Sequence, residues 1–374
     1  MHTSPSSAGA EPTHTSSILI GALVPLTRPG WVEAGRHLLA GLELAVREIN
    51  DAGGIAGRSL ELLVRDTAAD PERAAAAVDE LARLGVAALA GEYHSVAARA
   101  AATRADALGL PFLCSSAVLD ALTEQPTASV ARLAPAQSYG WQVYADFLLT
   151  AGHRRIVVAM QPSVYWASGT RILRDYLAPR DGTVIELDVR ALDATAVCDA
   201  LVDHRATALL LLVGFPEPAV SIVQWVRRDP RLADIMIGAP AGQPEFPEWA
   251  TLLGDDGAAI PFLRYLPEHL SARGARVEAA LRERLVEAPS FVAFEGYDTI
   301  IVLADVLHSH GAGTGAGAAR TTDFWPRVAV EGTRGEIRFS RIPGVSVWQW
   351  TWPPIQVADR DPAGFDRFRI LHAR

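Results

Sequence analysis

The sequence predicts an α/β protein made of two doubly wound parallel-sheet lobes, on three observations. Short apolar runs alternate with amphipathic stretches of helical period along most of the chain, the pattern of a parallel sheet covered by helices on both faces. The alternation restarts after Pro135, so it describes two units and not one. The chain has 374 residues, 49% of them hydrophobic, enough to bury the cores of two or three domains.

In chain order, "SILIGALVPL" (17–26) is a buried strand by its Ile/Leu/Val run, stopped by Pro25 and Pro29. In "EAGRHLLAGLELAVREINDAGG", Leu38, Leu42, Ala45, Val46 and Ile49 share one helical face, and Gly53-Gly54 ends the helix. "SLELLVRD" is the second strand. "DPERAAAAVDELARLG" is a helix with Asp70 as N-cap, Pro71 in the first turn and Gly85 at its stop. "VAALAG", "SVAARAAATRADALG" and "LPFLCSS" continue as strand, helix and strand.

Beyond Pro135 the same reading gives helices over 138–151, 168–178, 194–203 and 217–228, separated by the strands "RIVVAM", "TVIELDV", "ALLLLVG" and "DIMIGAP". A long helix covers 290–311, followed by a loop "AGTGAGAAR", a short β segment in "EGTRGEIRFS", and a Trp/Pro-rich end, "VWQWTWPPIQVADRDP".

Composition removes several classes of function. Thirty-four basic side chains against 43 acidic ones leave a net charge of −9, without the basic stripe that neutralising a phosphate backbone requires, so no nucleic acid is expected as a direct partner. Every basic residue is Arg, which excludes a Schiff-base lysine and a phosphate-loop lysine. Cys114 and Cys198 stand alone, and no His or Cys occurs at metal-ligand spacing; no metal, no cofactor and no catalytic residue is expected. No stretch reaches the roughly 20 apolar residues of a membrane span. Residues 1–17 are polar and Ser/Thr/Pro-rich, unlike a secretory signal. They read as a disordered tail, which makes the chain as given cytoplasmic, or extracytoplasmic if a signal was removed.

One stretch, "GEYHSVAARAAATRADALGLPFLCSS" (91–116), sets Tyr, His and three serines around an Ala-rich helix. It reads as a Ser/His catalytic site or as a cradle for a small molecule. A nucleophilic serine usually sits in a strained elbow such as G-x-S-x-G, and none surrounds Ser95, Ser115 or Ser116. Ser95 instead opens a helix, where free amides and the positive dipole end favour a carboxylate or amide oxygen, although a serine there also serves as an ordinary N-cap.

The order of these parts, carried by "IGALVPLTRPG", "GLELAVREINDAGGIAGRSLEL", "DPERAAAAVDEL", "FEGYDTIIVLADVL" and "EGTRGEIRF", resembles the type I periplasmic-binding fold of the leucine-binding and amide- and urea-receptor family. The pattern A-x-x-x-I-N-x-x-G-G-I-x-G from Ala45 to Gly57 is its most specific part. The resemblance implies two lobes joined by a three-crossing hinge: 18–135 with 263–327, and 136–262 with 328–357, leaving 358–374 as a C-terminal tail. It implies a solute between the lobes, held at its polar head by Tyr93, Ser95 and His94 and by Ser115 and Ser116. Aromatics would close on it: Tyr165 with Trp166 beside it, Phe215 and, from the first loop, Trp31.

The implied function is non-enzymatic binding of an amide-, urea- or amino-acid-like solute. The protein would be the substrate-binding component of an ABC importer or a cytoplasmic amide-sensing regulator. Its partners would be an ABC permease or a regulatory protein, with a homodimer allowed. A Ser/His hydrolase of small amides is the alternative. One departure bears on the ligand. Amino-acid binders of the family carry an acidic partner for the ligand ammonium after the strand matching "IMIG", where this chain has Pro240, with Glu245 out of register and Val118 in place of the usual Thr. An unpaired ammonium in a closed cleft is costly, so a neutral or anionic solute is expected.

Overall fold

The structure is a computed structural model that describes residues 17–310, 324–364 and 367–373. The expected loop at 312–320 and nearly all of the expected N-terminal tail fall outside the described residues.

The first lobe alternates β1 (Ile18–Val24), α1 (Val32–Asp51), β2 (Leu60–Asp66), α2 (Pro71–Arg83), β3 (Ala88–Gly91), α3 (Ser95–Leu108), β4 (Phe112–Cys114) and β5 (Val130–Arg132). The Asp70 carboxylate accepts a hydrogen bond from the Arg73 amide at 2.7 Å and caps α2, with Pro71 in its first turn. The second lobe follows as α4 (Gln137–Thr150), β6 (Arg155–Met160), α5 (Val164–Leu177), β7 (Thr183–Asp188), α6 (Ala194–Asp203), β8 (Ala208–Leu212), α7 (Ala219–Arg228), β9 (Met236–Gly238), α8 (Pro247–Leu253) and β10 (Phe262–Arg264). The chain then returns through α9 (Ala272–Leu285) and α10 (Phe291–His310), which pack with α1. It ends in short strands: β11 (Val330–Glu331), β12 (Glu336–Ile337), β13 (Phe339–Ser340), β14 (Trp348–Trp350), β15 (Gln356–Arg360) and β16 (Phe368–Ala373).

The first sheet has the order β13-β14-β5-β4-β3-β1-β2, parallel except for β13, and the second has the parallel order β7-β6-β8-β9. Each is doubly wound, with the strand order reversing beside its first strand. β10, β15 and β16 form a separate antiparallel sheet against α4. The chain therefore passes between lobes three times: after β5, after β10, and between β14 and β15. Two glycines set the packing of the long helices. A Cβ on Gly41 would stand 1.9 Å from the Ala293 carbonyl oxygen, and one on Gly296 would stand 2.3 Å from that of Leu38, so only hydrogen lets α1 and α10 come this close.

Three expectations differ from what is observed. Residues 339–350, expected in the second lobe, extend the first sheet beside β5. Gln349 holds them there, taking a hydrogen bond from Arg132 Nε at 2.8 Å and donating to the Ala134 carbonyl at 2.8 Å. The stretch from 358, expected as a tail, is structured through the β15–β16 pair, where Arg369 grips Asp359 at 2.6 Å. The helix expected from 168 begins at Val164 because the Ser163 hydroxyl accepts the Trp166 amide.

Candidate functional site

In open parallel sheets ligands settle beyond the carboxyl ends of the strands, where the strand order reverses. The two lobes turn those ends towards each other around a cavity of about 290 Å³. The first lobe supplies Pro29 and Trp31 after β1, Tyr93, His94, Ser95 and Val96 after β3, and Ser116 and Val118 after β4. The second supplies Ser163, Tyr165 and Trp166 after β6, Val213, Gly214 and Phe215 after β8, and Ala241 and Gln243 after β9. Tyr265 and Phe291 come from the hinge side.

The turn after β3 is organised by a buried carboxyl. Glu92 Oε1 accepts the Tyr93 and His94 amides, both at 2.8 Å, and Oε2 accepts the Thr67 hydroxyl at 2.5 Å. Burial pushes this carboxyl up to about 7, although these three donors pull the other way. His94, not Ser95, is the N-cap of α3, and it contributes no side-chain cap. Ser95 stands in the first turn, where its hydroxyl accepts the Leu119 amide at 3.3 Å. His94 Nε2 accepts the Trp31 amide at 2.9 Å, and burial lowers the imidazole to about 4, so the ring is neutral with its proton on Nδ1. Its acceptor nitrogen is occupied by a backbone N–H, and among the described residues no serine hydroxyl hydrogen-bonds to the ring, so His94 and the cavity serines form no proton relay.

The three serines separate. Ser116 is 4% exposed on the cavity wall and makes no hydrogen bond of good geometry, with the Glu295 carboxyl drawing on the same hydroxyl from behind. Ser115 lies outside the wall; its hydroxyl pairs with that of Thr299 at 2.8 Å. The cavity thus brings together Trp31, Tyr93, His94, Ser95, Ser116, Tyr165 and Phe215, and leaves Ser115 to the interior packing against α10.

On the opposite wall, Tyr165 and Trp166 belong to the first turn of α5, their rings 4.6 Å apart. Gln137 Nε2 donates to the Tyr165 carbonyl at 3.0 Å. Phe215 stacks on Trp249 at 5.8 Å and meets Trp31 of the first lobe at 5.4 Å. Trp31 also touches Phe246 at 4.6 Å, and Arg28 reaches Glu248 at 3.1 Å, so the lobes are in contact across the cleft mouth.

Gln243, Tyr265, Phe291 and Ser163 line the cavity without having been singled out in the sequence. Gln243 follows the fourth strand of its lobe and was findable by that position. Tyr265 and Phe291 carry no local signal, since hinge geometry alone brings them in. Glu245 is buried, but its carboxylate is taken by Arg264 Nε at 2.9 Å and the Phe291 amide at 3.1 Å, and it is not on the wall.

Among the described residues, no Asp, Glu or Arg lines the cavity, and no cluster of His, Cys, Asp or Glu could hold a metal ion. Burial raises the phenols of Tyr93, Tyr165 and Tyr265, keeping them protonated. The walls are therefore aromatic, with hydroxyls, one amide, the neutral His94 imidazole, the Trp31 indole and the uncapped start of α3 as polar groups. They suit a small solute with an apolar body and an oxygen-bearing head. Among the described residues no helix is long and apolar enough to cross a membrane.

The architecture recurs in solved structures. The leucine-binding protein LivK of Thermotoga maritima superposes with a TM-score of 0.79 at 17% identity, covering 94% of this chain and 97% of that one. LivJ of Streptococcus pneumoniae, in complex with isoleucine, gives 0.78 at 20% identity, covering 95% and 99%. A solute-binding protein of an R. palustris ABC transporter, in complex with benzoate, gives 0.79 at 16%, covering 96% of each chain. In sequence, the Leu/Ile/Val-binding protein homolog 7 of Brucella melitensis is 36% identical over 132 residues, 34% of this chain and 32% of the relative. The matched stretch thus spans about a third of that protein. The family described as periplasmic binding protein matches residues 17–342. With two doubly wound lobes, a three-crossing hinge and a match over most of its length, this chain belongs to the periplasmic binding protein family.

Proposed function

We propose that the protein binds a small solute between its lobes without altering it chemically, and that lobe closure is its output. The solute is neutral or anionic, of the amide, urea or small-carboxylate kind, and has no obligatory α-ammonium. The observation that carries this reading is the inter-lobe cavity with no carboxylate on its described walls. An ammonium there would lose its hydration without gaining an ion partner, whereas the start of α3 and the Ser116 hydroxyl suit a carbonyl or carboxylate oxygen. Structural relatives solved in complex with benzoate and with isoleucine support a small-solute site, and the benzoate complex supports a ligand without an ammonium.

We assign closure to delivery of the solute to an ABC permease, a role supported by the transporter components among the structural relatives. An amide-sensing regulator, with a regulatory protein as partner, is the rival output and has no such support. A thermal-shift screen of amides, ureas, amino acids and small carboxylates tests the binding reading, because a ligand at 100 times its Kd stabilises by about 2.7 kcal/mol. Stabilisation by an amide, urea or carboxylate that mass spectrometry recovers unchanged is the expected result. No stabilisation by any of the four classes contradicts the binding reading, and turnover of an amide contradicts the non-enzymatic one.

A further inference from the structure

We propose that Glu33 links lobe closure to a proton: the closed cleft takes a proton up on this carboxyl and the open cleft gives it back, so the solute is held more tightly in mild acid than in mild alkali. This rests on the reading of closure as the response to a solute between the lobes, and adds a means of regulating it.

Glu33 stands in the first turn of α1, in the first lobe. Across the cleft mouth lies the stretch of the second lobe that leads into α8. There Phe246 meets Trp31 at 4.6 Å and His37 at 5.8 Å, residues on either side of Glu33 in the chain, and Arg28 pairs with Glu248 at 3.1 Å. Both the carboxylate and the backbone amide of Glu248 act on the Glu33 carboxyl. Glu287, from the connection between α9 and α10, acts on it from within the first lobe. Three carboxyl groups from three parts of the chain thus meet where the lobes touch.

The cations beside them are already engaged. Arg28 is taken by Glu248 and Arg36 by Glu287. His37 adds no charge, because its Nδ1 accepts the Ser290 amide at 3.0 Å, its Nε2 meets Glu287 at 2.9 Å, and burial lowers the imidazole below its ordinary range. Among the described residues no ion pair forms with Glu33, and its Oε2 is buried without a hydrogen-bond partner. A charge in that place is uncompensated, whereas a neutral acid is tolerated. Burial accordingly pushes the Glu33 carboxyl up from 4.5 to about 7, with Glu287 and Glu248 adding to the rise and the Glu248 amide and Arg36 opposing it. Opening the lobes withdraws Phe246 and Glu248 from α1, returns Glu33 to water and moves it back towards its ordinary value. A carboxyl that holds its proton more firmly in the closed form favours closure below about 7 and loses that effect as pH rises through about 7.

The test is titration calorimetry of the full chain with benzoate, 4-methylpentanoate and leucine at about pH 6 and about pH 8, between which each probe keeps its charge. Any probe that the wild type binds should bind about 3- to 10-fold more tightly at the lower pH, the upper figure being the most that one carboxyl moved from 4.5 to about 7 can give. Parallel titrations near pH 6 in phosphate and in Bis-Tris, whose heats of ionisation differ, should show uptake of about one proton per probe bound. Glu33→Gln keeps the shape and cannot ionise. It should bind at about pH 8 as tightly as the wild type does at about pH 6, and lose most of the uptake. Uptake that persists in the variant overturns the assignment to Glu33, and no uptake by the wild type overturns the linkage whether or not the variant folds; both leave solute binding standing. If no probe binds, small-angle scattering of the ligand-free chain decides. A radius of gyration larger at about pH 8 than at about pH 6 in the wild type, and constant in Glu33→Gln, supports the linkage, and a constant radius in the wild type overturns it.

Discussion

Phe246→Leu separates closure of the cleft from contact with the solute. Phe246 belongs to the second lobe, just before α8, and is fully buried. Its ring lies 4.6 Å from Trp31 and 5.8 Å from His37, both in the first lobe, and it does not line the cavity. Opening the cleft separates both pairs. At about 0.5–1.5 kcal/mol for each aromatic pair, the ring favours the closed form by about 1–3 kcal/mol. Leucine refills much of the space, so the cost to the fold stays below about 1.5 kcal/mol.

If the open form predominates without ligand, affinity falls by about 5- to 150-fold, because each 1.4 kcal/mol is a factor of ten. If the closed form predominates, the variant spends more time open, and its ligand-free radius of gyration rises above that of the wild type. Small-angle scattering together with calorimetry, using whichever of 4-hydroxybenzoate or leucine the wild type binds, covers both cases. Unchanged affinity with an unchanged radius of gyration would refute the reasoning that Phe246 latches the lobes.

Ser116→Ala should weaken solute binding by about 1–3 kcal/mol without lowering the unfolding temperature. Ser115→Ala should do the reverse, since its hydroxyl pairs with Thr299 and not with the cavity; calorimetry and thermal melts on both variants check the contrast. Glu92 is held at about 7 against an ordinary 4.5, so between those values the folded state keeps a proton that the unfolded chain releases. Stability should therefore fall as pH rises from about 4.5 to 7 and level off above. Glu92→Gln keeps an oxygen for the Tyr93 and His94 amides and should make that slope shallower, leaving the part due to Glu33 and Glu295, which burial also raises to about 7, as followed by urea unfolding across the range.

Much of the first lobe was legible because its elements are locally encoded. The Ile/Leu/Val run of β1, the Asp70-Pro71 start of α2 and the glycines after each helix act over a few residues. Trp31, Tyr93, Ser95, Ser116, Tyr165 and Phe215 were named together from the family resemblance, and they share the cleft because strand ends in a parallel sheet point there. The period-two alternation of β4 does not say which of Ser115 and Ser116 turns inward. That depends on Thr299 of α10, which is distant in sequence. The position of β14 was beyond reach for the same reason: a three-residue strand is placed by pairing with β5 and by the Arg132–Gln349 hydrogen bond, not by its own pattern. α9 did carry a readable face, with Val277, Leu281 and Leu285 buried at every fourth residue among arginines and glutamates. Gln243 illustrates the limit at the site. The departure at Pro240 signals that no acid stands there, but only the turn of Gln243–Glu245 shows that an amide reaches the wall while Glu245 turns away to Arg264.

Parallel calorimetric titrations of leucine and of its des-amino analogue, 4-methylpentanoate, test the central claim most directly. Both fill the same space, and they differ only in the ammonium for which the described walls hold no carboxylate. The account predicts that 4-methylpentanoate binds at least as tightly as leucine. Leucine binding more than about 10-fold tighter, a difference of about 1.4 kcal/mol, would mean that an ammonium partner exists in the cleft and would contradict the account.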